Sequence, residues 1–320
     1  MSDKVEGEKI RAARISVISN TTLVVLKLAV GLAIGSVSVV SEAFHSLSDL
    51  VASWIALWTV RISDRPADED HAYGHGKFES LSGLAEALLI LVAAVYILYE
   101  SIHKLRFPEP MERVDLGLAV MVASAVVNWF VASYLFRVAR KTDSLALEAD
   151  AEHLRIDVWT SLGVVAGLAL VACTGRAYFD PLVALAVALM MLTTSVRLIL
   201  QASHPLLDAQ LPAEEIESVR QVFRSDSRVL GFHKLRTRKS GSHRHVDAHV
   251  QLEDSLTLLE AHDVTEDLED QIRETLPNTS ITLHTEPFRA EQRHQYEKHG
   301  GPPPDDDAWE RPAAPPAPAG

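Results

Sequence analysis

Six stretches of this chain are long and apolar enough to cross a lipid bilayer, and they restrict the possible folds more than any other feature does. They run over about residues 15–36, 38–61, 80–101, 114–137, 146–173 and 179–200, each approaching the roughly 20 residues that a spanning helix needs. The third (LSGLAEALLILVAAVYILY) and the sixth (PLVALAVALMMLTTSVRLIL) are the cleanest. Neither shows the polar outer face that every helix of a soluble bundle keeps. The reading is an α-helical membrane protein with six transmembrane helices over residues 1–204, followed by a different kind of domain.

Six spans place both termini on one side of the membrane. Lys4, Lys9, Arg11, Arg14, Arg61, Arg65, Lys77, Arg137, Arg140, Lys141 and Arg197 fall on that side, and Lys104, Arg106, Arg113 and Arg176 on the other. Basic residues accumulate in cytoplasmic loops, so both termini are expected in the cytoplasm. The opening MSDKVEGEKIRAAR carries Glu6 and Glu8 and lacks the basic start and short apolar core of a signal peptide. It reads as a cytoplasmic amphipathic lead-in.

The net charge of −13 argues against nucleic acid, which needs a basic footprint. One cysteine, Cys173, excludes an intrachain disulfide framework and a thiolate-rich zinc cluster. Fourteen histidines remain, and their positions are informative. SEAFHSLSDLVAS in the second span sets His45 and Asp49 four residues apart, and EADAEHLRIDVWTS in the fifth does the same for His153 and Asp157. An i, i+4 spacing puts both side chains on one helix face. Two such helices facing each other supply two imidazoles and two carboxylates, a four-ligand N/O set of the kind zinc prefers. Ionisable groups inside spans are functional by default because they are costly there. Glu42 and Asp150 lie near the same faces and would attract ions without ligand spacing; Lys27 and Asn128 also lie within spans, and Lys27 reads as a snorkelling or pairing group. An intramembrane metalloenzyme would need an open coordination position and a general base; four protein ligands and the lack of an HExxH motif argue against one.

After His204-Pro205 the periodicity changes. Residues 212–226 read as an amphipathic helix, 230–238 and 243–253 as strands around the turn KSGSH, 257–276 as a helix opened by the capping box of Thr257 and Glu260, and 279–286 as a last strand. The order αββαβ predicts a small open sheet with helices on one face. Val246, Ala248, Val250 and Leu252 alternate with His243, His245, Asp247, His249 and Gln251, so one face of the second strand is apolar and the other polar. In the last strand Thr282, His284 and Glu286 share a face opposite Ile281 and Leu283. Residues 291–320, rich in Pro, Ala and Asp, have little to bury and are expected to be disordered.

The paired HxxxD spans, the loop RPADEDHAYGHGKFESL and the α+β tail resemble the cation diffusion facilitators over about residues 10–290. These are homodimeric metal-ion/proton antiporters with six spans and a metallochaperone-like cytoplasmic domain. The resemblance implies a transport site of His45, Asp49, His153 and Asp157, and a loop site of Asp68, His71 and His75 like that of the ferrous-iron/zinc efflux branch. It also implies a tail site of His233, His249, His262, His284 and Glu286, and a charge interlock between Lys77 and Asp208. Gly74 and Gly76 would permit the turns that wrap an ion in the loop. That branch carries aspartate where His45 stands, and aspartate where Glu286 stands. A quartet of two histidines and two aspartates is typical of the family's zinc-selective members.

The expectation is therefore Zn2+/H+ antiport out of the cytoplasm by a homodimer in the inner membrane. Residues 1–204 would form the transport domain, 205–290 the cytoplasmic metal-binding and dimerisation domain, and 291–320 the tail. Export of Fe2+, Cd2+, Mn2+, Co2+ or Ni2+, or a membrane-anchored metal sensor, are the alternatives.

Overall fold

The computed structural model describes residues 2–34, 37–107, 115–176 and 178–299, and the protein forms two compact units, Met1–Leu207 and Asp208–Gly320. Arg113 and residues 300–320 lie outside the described residues.

The first unit is a bundle of six helices: α1 (Ser2–Ile34), α2 (Val37–Ser63), α3 (Lys77–Arg106), α4 (Asp115–Thr142), α5 (Leu145–Thr174) and α6 (Phe179–Leu206). Five of them are long and apolar enough to span a membrane over their described residues; α2, of 27 residues, has the length of a sixth. The bundle packs small and hydroxylated residues inside and large apolar ones outside. Ser16, Asn20, Ser53, Ala12, Ala56 and Ala87 are buried, while Trp54, Trp58, Val92, Tyr96 and Phe130 are exposed. Lipid tails are as apolar as leucine, so membrane helices gain from close backbone approach and inward polar groups rather than from hiding leucine. One apolar core joins α1, α2, α4 and α5 around Leu57, Leu135, Leu147 and Leu154. A second joins α3 and α6 to Ile156 of α5 through Ala87, Ile90, Met191 and Leu198.

The amphipathic lead-in forms the first turns of α1, and Lys9 is fully buried there. Its ammonium donates to Asp64 Oδ1 at 2.9 Å and to Glu79 Oε1 at 3.1 Å, and Ser63 Oγ donates to the same Glu79 oxygen at 3.1 Å. The start of α1, the end of α2 and the start of α3 are thereby pinned together. Lys141 at the end of α4 reaches Glu8 at 2.6 Å, and Gln201 near the end of α6 donates to Glu148 near the start of α5 at 3.0 Å. All six helices therefore present these ends on one side of the bundle. Lys27 does not snorkel: it is 4% exposed and donates to Ser46 Oγ at 2.7 Å.

The second unit contains α7 (Ala213–Ser225), β1 (Gly231–Ser240), β2 (His243–Leu252), α8 (Leu258–Thr275), β3 (Thr279–Pro287) and α9 (Phe288–His299). The strand order is β1-β2-β3, with β1–β2 antiparallel and β2–β3 parallel through the α8 crossover. Phe223 of α7 and Leu268 and Ile272 of α8 pack on Val246, Ala248 and Val250 of β2. Each such burial contributes roughly 1.5–3 kcal/mol. The Thr257–Glu260 capping box opens α8 as the sequence predicts. Helix α9 runs to His299, so the first nine residues of the segment expected to be disordered are helical. Asp254 accepts hydrogen bonds from the backbone N–H groups of Arg289 and Ala290, capping α9, and Phe288 is buried beside it.

Candidate metal centres

Midway along the bundle, α2 brings Asp49 against His153 and Asp157 of α5, with one ligand atom from each residue mutually within 4.8 Å. His153 Nε2 lies 3.1 Å from Asp49 Oδ1. Asp49 is 5% exposed. His153 Nδ1 is buried with no hydrogen-bond partner among the described residues, so one ring nitrogen faces a carboxylate and the other has no partner there. His45 lies on α2 one turn before Asp49; its side chain, like that of Glu42, is outside the described residues.

Two further carboxylates lie close to this site: Asp150, which the sequence already places near the same faces, and Glu86, which it does not single out. Asp150 of α5 is buried and accepts from Ser53 Oγ at 3.0 Å, and Ser53 in turn is held by Asn20 Nδ2 at 2.6 Å. Glu86 of α3 is fully buried and interacts electrostatically with both Asp150 and His153. Glu86 escaped the sequence reading because it has no ionisable partner at i, i+4 spacing. The signal was nevertheless present, since one carboxylate inside LSGLAEALLILV is costly in a membrane.

The second centre is in the loop joining α2 to α3. Asp68 Oδ1 lies 3.3 Å from His71 Nδ1, and Asp68 Oδ2 lies 3.3 Å from His75 Nε2. The two imidazoles are 4.4 Å apart between centroids. The loop's own backbone shapes this arrangement. Asp68 Oδ1 accepts from the N–H groups of His71 at 2.7 Å and Asp70 at 3.1 Å, and Gly74 N–H closes on the His71 carbonyl at 2.9 Å. Gly74 has φ +77°, a left-handed conformation that favours glycine. Gly76 does not supply the second special turn: its φ of −54° is ordinary helical backbone, and it caps α3. The His71 N–H holds the Asp68 carboxyl below the usual carboxylate range, so it is ionised and ready to ligate at neutral pH.

The third centre is on the sheet. His233 pairs with His249 across β1–β2, and His249 with His284 across β2–β3, so three imidazoles form a row over three strands. Glu286 Oε2 lies 2.7 Å from His233 Nε2, and its Oε1 2.5 Å from His249 Nδ1. His284 Nε2 is 3.8 Å from Glu286 and is mostly exposed. The atoms that meet within 4.8 Å come from His233, His249 and Glu286; His262, exposed on α8, is not among them. Burial pushes the Glu286 carboxyl up, but the hydrogen bonds with His249 and His233 outweigh it and hold the group below its usual range. His245, on the polar face of β2, is half-buried, and burial lowers its imidazole pKa. Asp208 lies 3.6 Å from Arg238 within the second unit.

A helical membrane bundle with carboxylates and imidazoles converging inside it, joined to an α/β unit with its own imidazole–carboxylate cluster, defines a membrane protein that handles cations. Residues 13–207 match the cation efflux transmembrane domain and residues 211–288 the cation efflux protein cytoplasmic domain; the chain belongs to the cation efflux family, whose members are transporters and not enzymes. It is 35% identical over 285 residues to the cation-efflux pump FieF of Cronobacter sakazakii, covering 89% of this chain and 95% of that protein. It is also 35% identical over 272 residues to the uncharacterized transporter sll1263 of Synechocystis, covering 85% and 88%. A chain solved in a study of the candidate zinc transporter CzrB is 30% identical, covers 24% of this chain and 96% of that chain, and has a TM-score of 0.24.

Proposed function

We propose that this protein exports Zn2+ from the cytoplasm in exchange for protons, working as a homodimer in the inner membrane with both termini inside. The convergence of Asp49, His153 and Asp157 inside the bundle is the observation that carries this reading. His45, four residues before Asp49, completes a tetrahedral set of two nitrogens and two carboxylates suited to zinc. Metal ligands must be deprotonated to bind, so protons and zinc compete for the same lone pairs. When the site opens to a more acidic outside, protonation and zinc release become one event, and a proton gradient drives export. The separate apolar cores, one of α1, α2, α4 and α5 and the other centred on α3 and α6, supply two bodies that move past each other around the site.

In this reading Asp68, His71 and His75 hold a second zinc on the loop. His233, His249 and Glu286 hold a third on the tail sheet, with His284 and His262 as outer ligands of that region. Lys77 and Asp208 interlock membrane and tail in the dimer. Residues 1–204 transport, 205–290 bind metal and dimerise, and metal on the tail biases the transport equilibrium by binding one state more tightly. The test is zinc accumulation in inverted membrane vesicles. Asp49→Ala and Asp157→Ala should each reduce it to background while leaving the protein folded. Undiminished accumulation in either variant would overturn the assignment.

A further inference from the structure

Arg137 and Arg140, on the last turns of α4, have no hydrogen-bond or ion-pair partner among the described residues. They line a cavity of about 510 Å³ between α4 and α5 together with Arg155, Trp129 and Phe136. Arg155 lies over the Phe136 ring at 5.1 Å and pairs with Glu152 at 2.7 Å. The cavity therefore holds three guanidinium groups against one adjacent carboxylate. Trp129 is also a wall of a second cavity of about 360 Å³ farther along the same two helices. That one is lined by Val122, Val126, Phe130, Leu162 and Val165, with Ser161 as its one polar residue. A cationic pocket near the end of the bundle thus continues, across one tryptophan, into an apolar groove along the membrane span.

We propose that this composite groove binds one anionic phospholipid, its phosphate held by Arg137, Arg140 and Arg155 and an acyl chain lying in the apolar groove. Guanidinium groups match phosphate oxygens with paired N–H donors, and basic pockets between membrane helices take up acidic headgroups. Trp129, half-exposed two turns deeper along α4 than Arg137, forms the wall shared by the cationic pocket and the apolar groove. A second copy of the chain is a poor occupant, because a two-fold interface sets the same patch against itself and would face guanidinium with guanidinium. A free phosphate would use the pocket and leave the groove without a role.

The test uses the full-length protein, delipidated in detergent and reloaded with phosphatidylglycerol, phosphatidylcholine or inorganic phosphate, with bound ligand read by native mass spectrometry. Wild type should retain phosphatidylglycerol well above phosphatidylcholine. Arg137→Gln with Arg140→Gln should weaken phosphatidylglycerol about 30-fold, from the roughly five-fold that each basic residue supplies at an anionic membrane surface, and leave phosphatidylcholine unchanged. Both arginines are exposed, so this variant should keep the wild-type unfolding temperature. Trp129→Ala should weaken phosphatidylglycerol without changing phosphate binding. Equal retention of the two lipids, or undiminished phosphatidylglycerol in the double variant, would overturn the proposal. So would inorganic phosphate binding as tightly as the lipid, which would mark a free-anion site, or loss of the dimer in the double variant, which would mark a contact between copies.

Discussion

Asp49 and His153 are 104 residues apart in sequence and meet at 3.1 Å. Their meeting was legible because each belongs to an i, i+4 pair of ionisable residues inside a membrane span, where such groups are costly unless they face inward. Asp150, buried beside them, is placed near the same faces by the sequence itself, whereas Glu86 lacks any periodic signature and only the three-dimensional packing shows its place. His45 is the residue on which ion choice should turn. An imidazole is rigid and neutral, whereas a carboxylate adds charge and binds in more than one mode; ligand type and geometry are what discriminate among divalent ions. His45→Asp should keep zinc flux and admit Cd2+, which wild type should carry at least about tenfold more slowly than zinc. Paired zinc and cadmium flux in liposomes measures this, and a wild type that moves both equally would show that His45 does not set selectivity. On the tail, Glu286 bridges His233 and His249. Glu286→Ala should cost the full-length protein one bound zinc per protomer in equilibrium dialysis, and Glu286→Asp should restore it. Unchanged stoichiometry in Glu286→Ala would leave this cluster as a hydrogen-bonded polar face only.

At the scale of elements, α1 departs most from what the sequence conveys. Local charge makes residues 1–14 read as an amphipathic lead-in, and Lys9 within it is buried because Asp64 and Glu79, both remote in sequence, neutralise it. No periodicity within α1 encodes partners at the ends of α2 and α3. Removing one member of a buried ion pair leaves the other uncompensated, at a cost of about 3–5 kcal/mol. Lys9→Met should therefore lower the unfolding temperature sharply, and adding Glu79→Gln should recover much of the loss. A Lys9→Met protein as stable as wild type would show that the network adds nothing. The tail elements were more legible, because strand alternation and the capping box are local signals; the crossover that makes β3 parallel to β2 follows from α8 lying between them. Arg244 of β2 grips Glu215 of α7 with two hydrogen bonds at 2.7 and 2.8 Å and holds its carboxyl below the ordinary value of 4.5. A depressed carboxylate stabilises the fold fully above its unfolded pKa and loses that contribution as pH falls through the folded one. For this partly exposed pair the contribution is about 1 kcal/mol after screening. Glu215→Gln should be less stable than wild type by that amount near neutrality, with the gap closing below about pH 4. Urea unfolding at the two pH values checks it, and a gap that persists in acid would contradict it.

Over the whole molecule, the order of elements was written in hydrophobic runs and turn chemistry, whereas the grouping of helices was not. The sequence implies six spans; it does not say that α3 and α6 build their own core with Ile156 while α1, α2, α4 and α5 build another. That grouping depends on which small residues let which backbones approach, a property of pairs of helices. It matters because the Asp49–His153–Asp157 site belongs to α2 and α5, with Glu86 of α3 contributing its charge from the second core. Sliding one core past the other would change what the site faces without dismantling it. The central claim is that zinc and protons exchange at that site. The most direct measurement is simultaneous zinc and proton flux in proteoliposomes containing a zinc-sensitive and a pH-sensitive dye. Wild type should move protons against zinc in fixed proportion, each gradient driving the other ion, and Asp157→Ala should stop both fluxes together. Zinc movement without any opposing proton movement, or proton coupling that survives Asp157→Ala, would contradict the account.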